Sequence, residues 1–406
     1  MKLKKNQYKV SRFISFLLCL CIFPACVSSE TVDSYSQLDG YRGLVPEELK
    51  PLLERSLIKI EPSDSEDLTL NYTREAESYN INVDSFASIE KEFCNTQKNL
   101  SFSSSTAYEI LWLAQSSYLN FKNFSFDYRI TQRLFDQSAQ TISGHYKRIL
   151  HACDESFKKG NQLFRELFTI SKPSFLSKFS ILSFRFLGPE VDVIWSHSPI
   201  IKKTRMITAS NRSDPIASTS LSFEDLLLWS ENPANYNIES FEEVFLLAPI
   251  STLEVIPRKK DSCMQSVWHA GKEPSAQEVL SVEAEAVHGR QAWLPKEVTY
   301  KARKLWKMRI RAKDPYSMYG QQILYIDSIS KLPVYKTVYD PEGKTLKTQI
   351  LVPVKLKGVG GFIPKLSYVY DFVNRKNSFS AFYNFQYCDD VKDGSRVSDF
   401  DPLALG

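Results

Sequence analysis

Gln322-Ile-Leu-Tyr-Ile-Asp-Ser-Ile-Ser-Lys-Leu-Pro-Val-Tyr-Lys-Thr-Val-Tyr-Asp-Pro-Glu-Gly-Lys344 reads as strand, turn, strand, turn. In an extended chain Ile323 and Tyr325 fall on one side, and Leu324 and Ile326 on the other. The polar run 327–331 predicts a reversal into 334–339, which is rich in β-branched and aromatic residues. In Asp340-Pro-Glu-Gly343, Pro341 pre-sets φ and Gly343 accepts a positive φ, so a second tight turn leads into a strand at 345–352. Strands joined by turns this short pair antiparallel, and the stretch is a meander.

The same alternation recurs on either side. Residues 192–197, 298–313 and 378–387 read as strands, and the last puts Phe379, Ala381, Tyr383, Phe385 and Tyr387 on one face. Residues 221–229 predict a short helix with Ser222 as N-cap and Asp225 at the capping-box position. The expectation is a mainly β (α+β) fold, with one large antiparallel sheet and a few helices. Three regions follow: 1–26 is a targeting segment, 27–110 a polar extension with short helices, and 111–406 the β domain. With 13% aromatic residues and only 14 glycines, the body has the composition of a packed globule.

Lys2, Lys4, Lys5, Lys9 and Arg12 precede an apolar run at 13–23, shorter than the ~20 residues a spanning helix needs. This pattern is a secretory signal peptide, and it implies export. Cys26, after Phe23-Pro-Ala, suits lipidation on cleavage, while Val27-Ser-Ser29 suits ordinary signal peptidase. Residues 1–26 hold five basic and no acidic side chains, so their removal takes the formal charge from +4 to −1. A general nucleic-acid binder carries a strongly basic domain, and that class is excluded.

Cys94, Cys153, Cys263 and Cys388 remain, none in a CxxC pair, which argues against zinc. In an exported chain they allow disulfides, with Cys94–Cys153 and Cys263–Cys388 as the favoured pairing, or buried thiols. The sequence has no HExxH, GxSxG, glycine-rich phosphate loop or EF-hand, and its five histidines share no ligand spacing. It therefore names no catalytic residue, metal ligand or cofactor. Asp192 and His197 differ by an odd number along a strand, so they face opposite sides.

Residues 188–225 carry Asp192, Trp195, Pro199, Lys202, Lys203, Arg205, Ser213, Asp214, Glu224 and Asp225; farther on stand Leu305-Trp-Lys-Met308, Tyr325-Ile-Asp327 and Tyr339-Asp-Pro-Glu-Gly343. On these positions the chain resembles an uncharacterised family of exported bacterial proteins described as outer-membrane lipoprotein-sorting proteins. The family has arginine at the positions of Lys202 and Lys203 and tyrosine at His197, and lysine lacks the bidentate fork of arginine. The resemblance implies a lipoprotein-carrier (LolA/LolB-like) fold, an incomplete antiparallel barrel curved around an apolar cavity with helices at its mouth. It also implies a non-enzymatic role in the periplasm or on the periplasmic face of the outer membrane, beside an inner-membrane exporter or an outer-membrane protein.

Within such a fold Trp195, Trp306, Met308, Ile310, Tyr325, Tyr335 and Tyr383 are candidate walls of a cavity for a lipid or acyl chain. Lys307, Arg309 and Arg311 alternate with the apolar side of residues 303–313 and predict a wet basic face. With Lys202, Lys203 and Arg205 they are candidate contacts for lipid phosphates, a membrane surface or an acidic partner. Two functions stay open. A continuous apolar cavity of roughly several hundred Å³ supports a carrier shielding an apolar chain, and a concave face filled by its own side chains counts against it. The other function is an adaptor anchored at the outer membrane, holding an envelope partner through its sheet surface and acidic N-terminal extension.

Overall fold

Alternating side chains make strands, and short polar turns make each strand pair with the one before it. In the computed structural model, residues 30–32, 43–50, 58–60, 107–116, 123–134, 140–150, 162–186, 190–251, 254–260, 263–266, 298–357, 361–388 and 397–405 are described. The candidate residues Cys26, Cys94 and Cys153 lie outside them. In chain order the principal strands are β1 (Asn123–Leu134), β2 (Gln140–Leu150), β3 (Gln162–Lys172), β4 (Ser180–Phe186), β5 (Val193–Ser198), β6 (Lys203–Ile207) and β7 (Tyr236–Ile250). They continue as β8 (Thr299–Ala312), β9 (Gln321–Asp327), β10 (Pro333–Tyr339), β11 (Thr345–Leu356), β12 (Phe362–Asp371) and β13 (Lys376–Cys388).

All of these pairings are antiparallel. β1 to β6 form one meander and β7 to β13 another. The two halves join where β13 pairs with β1. The sheet therefore runs from β7 through β13 and β1 to β6, an incomplete barrel whose two end strands are linked in sequence by residues 208–235. A short strand, Cys263–Ser266, pairs with the end of β13, and Cys263 is disulfide-bonded to Cys388.

The linking segment is a plug. Residues 219–234 are all buried, and the segment contains only single 3-10 turns. The helix expected over 221–229 stops at Asp225. Its capping box forms, but Leu227 and Leu228 adopt φ of 53° and 70°, which ends the turn and drops the leucines onto the sheet. Burial of those leucines outweighs their helix propensity. Beside the plug, α1 (Ala107–Ser116) packs on Trp306, Met308 and Ile310 together with Trp229. This helix crosses the boundary that composition places at residue 110.

Alternation also sorts the core. Phe126, Tyr128, Tyr146 and Phe168 face the plug, while Leu305, Tyr325, Tyr335 and Tyr368 face away and pack with Val45 and Leu49. β10 and β11 are consequently buried on both faces, which explains their nearly unbroken burial. The last strand does not keep one apolar face. The register shifts between Tyr383 and Gln386, and Asn384 takes φ 54°, so Phe379 and Ala381 sit in one cluster and Phe385 and Tyr387 in the other, which Tyr383 joins at the edge of the bulge.

Gly144 marks a close approach. Tyr128 Oη donates to the Thr169 carbonyl at 2.9 Å directly over it, and a Cβ there would overlap both partners. Gly144→Ala is expected to lower the free energy of unfolding in urea by about 2 kcal/mol or more. An unchanged midpoint would show that the β2–β3 contact is looser than described.

Candidate functional site

Lys336 on β10 and Lys347 on β11 point into the barrel, at 0% and 8% exposure. Ammonium groups this deep need a counter-charge, and the plug supplies it. Asp225 lies 3.0 Å from Lys336 Nζ through Oδ1 and 2.8 Å from Lys347 Nζ through Oδ2. Its Oδ2 also accepts from Ser222 N at 2.9 Å, Ser222 Oγ at 2.7 Å and Tyr319 Oη at 3.0 Å. Burial alone raises the Asp225 pKa, but Lys347 and Lys336 outweigh it and hold the carboxyl well below the usual range. Lys336 also donates to the Glu224 carbonyl, and Gln349 to the Asp225 carbonyl. One capping-box residue thus bolts the plug to two neighbouring strands.

A second ionic row crosses β2, β3 and β4. Glu166 accepts from Arg185 Nε at 2.8 Å, from Arg148 Nη2 at 3.1 Å and from Tyr146 Oη. Arg185 Nη1 reaches Asp192 at 2.8 Å, just ahead of β5. Burial works against ionised Glu166, and Arg185 with Arg148 overcomes it, so its pKa is lowered. For Asp192 burial wins over Arg185 and the pKa is raised. Arg148 stacks over the Phe164 ring at 4.1 Å.

The plug's own acids meet this row in a small polar pocket lined by Asp192, Arg212, Glu224 and Glu231. It leaves about 30 Å³ for the centres of water molecules, enough for about two. Burial, then the charge of Glu231, drives the Glu224 pKa well above the ordinary carboxyl value. Burial likewise raises that of Glu231, which accepts from Tyr236 Oη and from Gln322 Nε2. The chemistry available here is proton storage. Among the described residues no group of three or more His, Cys, Asp or Glu is arranged to hold a metal ion.

On its apolar side the plug rests on an aromatic wall. Leu221, Leu226 and Leu227 lie against Phe126, Tyr128, Tyr146 and Phe168, leaving about 10 Å³ for a water centre, at most one molecule.

The sequence-derived cavity residues do not converge on one space. Trp306, Met308 and Ile310 pack under α1, Tyr325 and Tyr335 face the opposite side of the sheet, and Tyr383 stands in the plug-side core. Trp195 packs outside with Phe184, at 4.7 Å between rings. The basic face of β8 is wet at Arg309 and Arg311, but much of its charge is paired. Lys307 pairs with Glu242 at 3.0 Å and Arg311 with Glu239 at 2.5 Å, because β7 lays its acids alongside; Leu305 on the same face is buried, and Arg309 is exposed. Lys202, Lys203 and Arg205 are exposed at β6. His197 Nδ1 lies 3.1 Å from Thr204 Oγ1, away from Asp192. The residues that sequence reading passed over are Lys336, Lys347, Arg148, Glu166 and Arg185. Their one legible mark is a charge inside an otherwise apolar strand, as with Lys336 between Tyr335 and Thr337.

Residues 103–405 match the family described as protein of unknown function (DUF1329). Among solved structures, a DUF1329 family protein from Desulfovibrio piger is 14% identical with a TM-score of 0.49, over 75% of this chain and 100% of that one. A putative outer membrane lipoprotein-sorting protein domain from Vibrio parahaemolyticus is 15% identical with a TM-score of 0.48, over 73% and 97%. A LolA superfamily protein from Nitrosomonas europaea is 13% identical with a TM-score of 0.44, over 74% and 100%. No curated protein matches the chain in sequence.

Asp225→Asn leaves two buried ammonium groups without their counter-charge and is expected to cost about 3–5 kcal/mol of unfolding free energy in urea. Adding Lys336→Met and Lys347→Met is expected to restore most of that loss; a single variant as stable as the parent would contradict the anchor. Glu224 holds its proton more tightly folded than unfolded. Above the ordinary carboxyl range the folded state therefore binds more protons, and stability falls as pH rises. Glu224→Gln should flatten that decline between about pH 5 and about pH 8. Urea titrations at both values check it, and an unaltered slope would rule out Glu224 as the proton holder.

Proposed function

The chain belongs to the DUF1329 family, and from that premise we propose that it is a non-enzymatic envelope carrier for an apolar chain, closed by its own plug. The observation that carries this reading is the plug's strained seat. Ala217, Ser218, Leu227 and Leu228 take φ of 46°, 65°, 53° and 70°. Each such residue costs on the order of 1–3 kcal/mol, and strain of this kind persists only where the surroundings impose it, often at ligand clamps. Leu226 and Leu227 lie just beyond the Asp225 anchor, on rings that accept a hydrocarbon chain as readily as a leucine. That stretch can lift while Asp225 stays paired, and an acyl chain would take the leucines' place.

In this reading the protein acts in the periplasm or at the periplasmic face of the outer membrane. A lipidated Cys26 would tether it, and an exporter or outer-membrane protein would pass the ligand on. The filled interior favours a second reading, an adaptor that binds partners through its surface and carries nothing.

Leu227→Gly separates the two. Glycine adopts φ near 53° without strain, and loss of the side chain opens the wall. A fluorescent fatty acid is expected to bind the unsubstituted full chain and to bind the variant about tenfold more tightly. If the probe binds neither chain while the variant keeps its circular dichroism and unfolding midpoint, the carrier is wrong and the adaptor stands.

A further inference from the structure

At one end of the sheet two neighbouring turns break the usual rule that exposed tips are polar. Ser180 opens β4 opposite His197 near the end of β5, and Ser198 faces Lys203 across the next turn. The β3–β4 turn (residues 173–179) and the β5–β6 turn (residues 199–202) therefore stand side by side. Their tips expose Phe175 at 68%, Ile200 at 70% and Ile201 at 44%. Around them Lys178, Lys202, Lys203 and Arg205 are all exposed. Neither residues 172–180 nor residues 196–207 contain an aspartate or glutamate. β6 pairs only with β5 among the described residues, so this corner is the outer margin of the sheet.

We propose that this corner docks the protein on an anionic lipid surface, with Phe175, Ile200 and Ile201 entering the headgroup layer and the four cations meeting lipid phosphates. Large apolar side chains on projecting tips, ringed by lysine and arginine, match the physics of interfacial binding. The apolar atoms leave water at the acyl boundary while the charges stay at the level of the phosphates. A specific protein interface instead needs a face of about 800 Å² on each partner, and two hairpin tips offer projections rather than a face. The excess of positive charge is local to the corner, since the β8–β9 and β10–β11 turns elsewhere in the sheet carry Asp314, Asp340 and Glu342. The docking does not rest on the carrier reading, because it uses the corner and leaves the plug untouched.

Co-sedimentation of the full chain with phosphatidylglycerol–phosphatidylcholine vesicles tests it, with phosphatidylcholine vesicles for comparison. All chains compared share one N-terminus, so differences between them report on the corner. The unsubstituted chain is expected to pellet with the anionic vesicles and to be released as salt is raised. Lys202→Glu with Lys203→Glu should weaken binding at least tenfold, since each cation near the surface contributes about fivefold. Phe175→Ser with Ile200→Ser should weaken it with less change in salt dependence. Equal binding to both vesicle types, binding unaffected by either pair of substitutions, or no binding by the unsubstituted chain overturns the proposal. The last result would hand the basic corner to an acidic protein partner.

Discussion

Two lysines on adjacent strands point into the barrel, and one carboxylate answers both. Lys336 and Lys347 cannot stay charged at that depth without Asp225, and Asp225 reaches them only because residues 208–235 pass through the interior. From that requirement follow the buried path of the plug, the short turn at residues 223–225 that presents the carboxylate, and the abrupt change of direction at Leu227 and Leu228. The capping box at Ser222 does double duty here. It closes a helical turn, and it fixes the same Oδ2 that binds Lys347.

The arrangement also explains how an incomplete barrel avoids an open interior. The two end strands, β6 and β7, are consecutive in sequence, so the connection between them has to cross the gap. Leucines turn toward the aromatic wall and acids toward the basic side chains, and the connection becomes core. Polar and apolar requirements are thereby separated within a dozen residues. Leu221, Leu226 and Leu227 cover rings, while Glu224, Asp225 and Glu231 serve the ionic rows.

Local chemistry was legible in the sequence and long-range chemistry was not. Residues 322–344 form β9, β10 and the turn into β11, and Gly343 takes φ 86° as its turn requires. The Ser222–Asp225 capping box is likewise present, because both partners lie three residues apart. What failed depended on elements distant in the chain. Whether 221–229 continues as a helix is decided by Gln349, Lys336 and Lys347, more than a hundred residues away. The β8 lysine and arginine residues read as an unpaired basic face until β7 lays Glu239 and Glu242 beside two of them. A single bulge at Asn384 defeats the period-two reading of β13, since one extra residue reverses every side chain after it.

The pairing of β13 with β1 has a consequence for the order in which the protein is made. Asn384 and Asp127, which touch across that seam, are 257 residues apart, and the counter-ions of Asp225 are translated more than a hundred residues after it. A ribosome therefore releases the plug long before the lysines that anchor it exist, and the first half-sheet waits with one edge of β1 open until the final strand emerges. Such non-local closure is slow. A chain that cannot complete its barrel until its last strand is synthesised commits to its native state only when nearly all of its length exists.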